Sequence, residues 1–103
     1  MSDDAYFRMV VEDIFFIRGR GTVVTGVISQ GVLYVGDVVR MHGSEYEKQV
    51  KVMSIEIFRR RTKSASTGER VGVVLQGINK DEITRGDVLA SSHPEFDDVW
   101  WEV

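Results

Sequence analysis

Residues Val11 to Gly26, VEDIFFIRGRGTVVTG, constrain the fold more than any other stretch, because they specify two extended arms joined by a glycine turn. The first arm, up to Ile17, is mostly β-branched or aromatic, and from Thr22 onward Thr and Val take over. Such side chains favour extended backbone. Between the arms, Gly19 and Gly21 supply the positive φ angles of a short hairpin, where a residue with a Cβ is penalised. The turn is expected to carry Arg18 and Arg20 into solvent. Beside it, Glu12 and Asp13 place two carboxylates on opposite faces of the first arm, since neighbouring strand side chains alternate.

The rest of the chain keeps a period near 2, and no window of a dozen residues shows a helical stripe. Val23 to Ile28 runs to a turn at Ser29-Gln30-Gly31, and Val32 to Val35 runs to a second turn at Gly36-Asp37. Val38 to Met41 resumes the sheet before the polar loop His42-Gly43-Ser44. From Glu47 to Phe58 the alternation predicts a long strand with Val50, Val52, Ser54, Glu56 and Phe58 on one face and Lys51, Met53, Ile55 and Ile57 on the other. Arg59 to Gly68 reads as a basic, Ser/Thr-rich connection. Val71 to Ile78 is a further strand, interrupted by Gly72 and Gly77, which suggest bulges or close packing. Asn79 to Ile83 fits one helical turn capped by the Asn79 side-chain oxygen. Val88 to Ala90 then closes the body. Gly36-Asp37-Val38-Val39 and Gly86-Asp87-Val88-Leu89 match in pattern, read here as repeated turn chemistry. Six or seven short strands with glycine turns predict an all-β domain closed into a barrel, which leaves no sheet edge exposed.

At 103 residues with 43% apolar content and a single proline, the chain is one domain able to bury a core. It has no cysteine, which excludes disulfides and thiolate metal sites and fits a reducing, cytoplasmic setting. No apolar run is long enough to span a membrane, and Met1-Ser2-Asp3-Asp4 lacks the features of a secretion signal. The net charge of -3 hides an asymmetry: all 13 Lys and Arg lie in the body, while Asp3, Asp4, Glu95, Asp97, Asp98 and Glu102 sit at the two ends. A mildly basic body suits a polyanion such as RNA, and equally an ordinary solvated surface.

Catalytic readings fail on spacing. Gly21-Thr22-Val23-Val24-Thr25-Gly26 has the glycine spacing of a phosphate loop, but Val27 stands where a lysine is required. Asn79-Lys80-Asp81-Glu82 has the wrong acid for a guanine-reading motif. His42 and His93 are isolated in polar loops without a second ligand at metal spacing. No serine pairs with a histidine in a nucleophilic motif. A non-enzymatic protein without cofactor or metal is expected.

The ordered series Val11-Glu12-Asp13-Ile14-Phe15, Gly19 to Gly26, Gly31 to Val38, Ser54 to Arg59, Gly68 to Gly77 and Arg85 to Ala90 closely resembles domain two of translation elongation factor Tu and related translational GTPases. The resemblance covers about Phe7 to Ala90. It implies a small antiparallel Greek-key β-barrel of the translation-protein type over residues 1–90, which in the family sits beside a GTPase domain and holds the aminoacylated 3′ end of tRNA. Carried over position by position, it places the terminal-adenosine pocket on Ile17, Gly19, Arg20, Val23, Glu56 and Val74, with Arg59 at a phosphate. The amino-acid side falls on Glu12, Asp13, Phe15 and Thr25. An adenine base needs an apolar slot and one or two directed polar groups, which Ile17, Val23, Val74 and Glu56 would supply. Three positions depart from the family: Phe58 stands where histidine is frequent, Arg70 where asparagine helps hold the aminoacyl group, and Phe16 where a small polar residue is usual. Each of these residues also has a plain reading: Val23, Val74, Ile17 and Phe15 as core, Arg18 and Arg20 as a soluble turn tip, Arg59-Arg60-Arg61 as a solvated loop, and Glu12 and Asp13 as acceptors for the turn.

Residues 91–103 carry both tryptophans, Trp100 and Trp101, in an acidic tail outside the resemblance. Indoles left in water are costly, so the tail is expected to dock on bare barrel surface, on the arginine region in competition with RNA, or on a second copy. The leading expectation is a free-standing, non-catalytic barrel that binds RNA, the tRNA 3′ end in particular, or a translation-related partner such as a GTPase domain in trans. The alternatives are a protein-interaction barrel that has lost RNA binding and an excised domain of a longer GTPase.

Overall fold

The computed structural model describes residues 6–91, so the tail beyond Ser91, with both tryptophans and the expectations about where they dock, lies outside the described residues. Among the described residues ten strands and one short 3-10 turn follow in order: β1 (Arg8–Val10), β2 (Asp13–Ile17), β3 (Gly21–Gln30), β4 (Val32–Tyr34), β5 (Val38–His42), β6 (Glu47–Ile57), β7 (Arg60–Thr62), β8 (Ser64–Ser66), β9 (Arg70–Gln76), the turn Lys80–Glu82, and β10 (Val88–Ser91). Six of them close a ring of antiparallel pairs, β1-β10-β5-β6-β9-β3, because β1 pairs with both β10 and β3. The expected closed barrel is therefore the observed one. Strand β2 extends the wall outside β3, β7 extends it outside β6, and β4 and β8 form a separate two-stranded ribbon.

Closure depends on Gly26. A Cβ there would lie 2.4 Å from the Val10 carbonyl oxygen, so the bare backbone is what lets β1 cross against β3. The cavity of the ring is filled by one apolar cluster that includes Phe7, Met9, Ile28, Leu33, Met41, Ile55 and Leu89, all fully buried. Each such side chain contributes about 1.5–3 kcal/mol relative to its exposed form.

The repeated turn chemistry is real. Gly36 and Gly86 both sit at φ 96, and each following aspartate reaches back to accept a backbone N–H, Asp37 from Tyr34 and Asp87 from Thr84, both at 2.9 Å. The expected helical turn is the 3-10 turn Lys80–Glu82, closed by the Glu82 carboxylate accepting the Asn79 N–H at 2.8 Å.

Two expectations need correction. In β6 the alternation does not run through: Val50 and Val52 face the core, but so does Ile55, at 0% exposure. The cause is a bulge at Met53, where pairing with β9 steps from Val52↔Leu75 to Ser54↔Val74. One extra residue reverses the phase of everything after it. Under unbroken alternation Glu56 would share the core face of Val50 and Val52; the bulge carries it to the outer wall. Second, Arg59 to Gly68 is not a plain connection but contains β7 and β8, the first entered by a two-residue turn at Phe58-Arg59 between the paired Ile57 and Arg60.

Candidate functional site

Antiparallel pairing lines up outward-facing residues from adjacent strands. One row runs Phe15–Val23–Val74–Ser54 across β2, β3, β9 and β6, and the next runs Asp13–Thr25–Gly72–Glu56 and on to Arg61 of β7. The second row is the floor of a shallow groove of about 350 Å³, lined by Asp13, Phe15, Thr25, Glu56, Phe58, Arg59, Arg70, Val71 and Gly72. Gly72 makes the notch in it. A Cβ there would only touch Thr25 and Val23 side-chain carbons at 4.0 Å, so the space above that position is open because there is no side chain to fill it.

Seven of the thirteen residues singled out from the sequence line this groove: Asp13, Phe15, Thr25, Glu56, Phe58, Arg59 and Arg70. Glu12 and Arg20 join it through ion pairs, Glu12 with Arg70 and Arg20 with Glu56. Arg20 therefore folds back onto the wall, where the sequence reading had it projecting into solvent with Arg18. Asp13 is held at 2.9 Å by Arg85. Glu12 and Asp13 thus diverge to separate partners, as their adjacent positions require. These exposed pairs are worth about 0–1 kcal/mol each, so their effect is to orient carboxylates, not to hold the fold. Val23 and Val74 face one another across β3 and β9 and are buried at 7% and 5% exposure, although both lie outside the core cluster on the opposite side of the wall. They form an apolar shelf beside the notch. Ile17 and Gly19 stand apart, at the end of β2 and the hairpin tip, with Gly19 at φ 84 and Gly21 at φ 112 as the turn demands.

Sequence reasoning missed Val71, Gly72 and Arg85. Gly72 did announce itself as a glycine inside a strand, but only the register shows that it faces outward between Thr25 and Glu56.

The tip of the β6–β7 hairpin forms one rim. Phe58 at φ 51 and Arg59 at φ 68 both occupy the left-handed region, where neither side chain is favoured. Phe58 is 91% exposed, and Phe15 and Phe16 of β2 are 48% and 61% exposed. None of these rings plugs the notch. A second, larger hollow of about 550 Å³ is lined by Glu45, Tyr46, Glu47, Lys48 and Glu82. It is a structural corner: Lys48 binds Glu82 at 2.9 Å, and the Tyr46 hydroxyl donates to Asp87 at 3.0 Å. Burial and the Asp87 carboxylate push the Tyr46 phenol well above its ordinary pKa. The Asn79 N–H, followed by Lys48, holds the Glu82 carboxyl below its usual range. Among the described residues no group of three or more His, Asp or Glu is placed to hold a metal ion.

A family model described as elongation factor Tu domain 2 matches residues 21–90. Among solved structures, translation elongation factor SelB from Methanococcus maripaludis, in its apo form, is similar at 37% identity and a TM-score of 0.79, over 88% of this chain and 19% of that one. The chain thus spans about a fifth of the length of that factor. Barrel closure, strand order and the match over most of the chain agree: the chain belongs to the elongation factor Tu domain 2 family, the β-barrel domain of translational GTPases.

Proposed function

We propose that this barrel binds the 3′ end of an RNA, a tRNA in particular, in the groove on its outer wall, as a non-catalytic module working beside a GTPase domain. The observation that carries the reading is the single outward row Asp13–Thr25–Gly72–Glu56 beside the Val23–Val74 shelf. A terminal base lies on the shelf, with Ile17 and Gly19 at the hairpin end of the slot. The Glu56 carboxylate, oriented by Arg20, accepts a hydrogen bond from a ribose hydroxyl. Arg59 meets a phosphate. Glu12, Asp13, Phe15, Thr25, Phe58 and Arg70 surround whatever group is esterified to that ribose, with Arg70 and Arg85 holding the two carboxylates in place. The setting is cytoplasmic; no helix among the described residues is long and apolar enough to cross a membrane.

One observation favours protein docking as well. Tyr34, Val35 and Val38 are exposed at 53%, 42% and 47% and none of them lines the groove, which suits contact with another protein domain. Titrating a short single-stranded RNA at two salt concentrations separates the readings. RNA binding through phosphates weakens steeply with salt, because counterions are released. Absence of titratable binding in the folded protein removes the RNA reading and leaves the interaction module.

A further inference from the structure

Three of the cations around the notch are already committed. Arg20 is paired with Glu56, Arg70 with Glu12 and Arg85 with Asp13. By contrast, among the described residues no ion pair involves Arg59, Arg60 or Arg61, three consecutive exposed cations on one projecting hairpin. In a chain of net charge -3, that concentration of unneutralised charge is where a polyanion meets least competition.

Strand register separates the three. Arg61 pairs with Glu56, so it continues the outward groove row one strand further, about 4.8 Å beyond Glu56. Arg60 pairs with Ile57, which packs against the core, so Arg60 belongs to the other face of the same ribbon. The turn joining β6 to β7 is held in two left-handed residues, Phe58 and Arg59, neither of them the Asn or Gly that such a turn prefers. Non-glycine residues kept in that region cluster at functional sites.

We infer that Arg61 is a second phosphate-binding residue, which receives the RNA backbone one step before the terminal nucleoside and extends the groove along the β6–β7 hairpin. The inference rests on the RNA reading above and deepens it, since it says which side of the hairpin the strand follows. Arg60 is the internal control: the same charge on the same hairpin, turned to the opposite face.

The test uses Arg61→Gln and Arg60→Gln in the full chain, with circular dichroism to confirm an unchanged fold, and three probes: adenosine, a single-stranded tetranucleotide and a tetradeoxynucleotide mixed-sequence control. Arg61→Gln is expected to weaken tetranucleotide binding about five- to tenfold and to lower the slope of log K against log salt by about 0.7, the value for one single-strand phosphate. Adenosine binding stays within twofold, and Arg60→Gln leaves all probes within twofold. Equal losses for both variants would mark a non-specific basic surface and overturn the inference while leaving RNA binding intact. Unchanged tetranucleotide affinity in Arg61→Gln overturns it as well. If the unaltered chain binds neither adenosine nor the tetranucleotide, the groove reading itself has failed, and this inference falls with it.

Discussion

Gly72 is the residue on which the notch depends. It lies in a strand with ordinary extended backbone and open space above it, so Gly72→Ala is compatible with the fold. Replacing a strand glycine by alanine reduces the freedom of the unfolded chain, so stability should stay level or rise by about 0.4–1 kcal/mol. RNA affinity should fall, because the new methyl occupies the gap between Thr25 and Glu56. Denaturant midpoints and RNA titration on the same preparation check both halves. Glu82 gives a second test at this scale. Its folded pKa is depressed by the Asn79 N–H and by Lys48. A depressed carboxyl contributes stability that is present above its unfolded pKa and lost as pH falls through the folded value. Urea midpoints of the native chain should therefore decline below about pH 4.5, and Glu82→Gln should flatten that acid limb. An unaltered limb would show that other carboxylates set it.

At the scale of elements, the strand that matters most is β6, and it is also where the sequence was least legible. Nothing in Lys51-Val52-Met53-Ser54 marks a bulge: there is no glycine or proline, and the hydrophobic alternation reads straight through. Only pairing with β9 shows the slip, and with it the reason Glu56 faces outward. Elsewhere local chemistry sufficed. The arms around Gly19 and Gly21, the two Gly-Asp turns and the strands β3, β5, β9 and β10 were readable because each strand is rich in apolar residues, many of them β-branched, and has a turn signal at its end. β7 and β8 were hidden by the opposite condition, a basic and polar run without alternation. Their entry turn lacks the usual residues, so it can be relieved by supplying them. Phe58→Asn with Arg59→Gly puts the favoured pair in that turn and is expected to stabilise the chain by about 1–3 kcal/mol, measured by chemical denaturation. RNA affinity should fall at the same time, because both side chains border the groove. A double variant that is less stable than the native chain would contradict the account of the turn.

For the whole molecule, closure of the ring is what turns strand rows into a continuous wall. Gly26→Ala sets a Cβ against the Val10 carbonyl oxygen and must push β1 off β3, at a cost of about 1–3 kcal/mol despite the small side chain. Leu89→Ala, in the fully buried core behind β1 and β5, should cost about 2–5 kcal/mol. Neither residue lines the groove, so RNA affinity should persist wherever these variants remain folded. The candidate site was legible in part for the same architectural reason: it combines β2, β3, β6 and β9, and a resemblance tied to ordered motifs transfers positions across strands that local patterning cannot bring together. What it did not transfer were the partners of the charged residues, because ion pairs such as Arg20–Glu56 arise from distant segments meeting on the closed wall. The central claim is that Glu56, on that wall, reads the last ribose of an RNA. The most direct measurement compares binding of one short RNA ending in an ordinary 3′-terminal ribose with the same RNA ending in a 2′,3′-dideoxy sugar, at fixed salt. The account predicts a loss of about tenfold for the dideoxy end in the native chain, as expected for a hydrogen bond to a charged acceptor, and no discrimination in Glu56→Ala, which removes the acceptor. Equal affinity for the two RNAs in the native chain would contradict it.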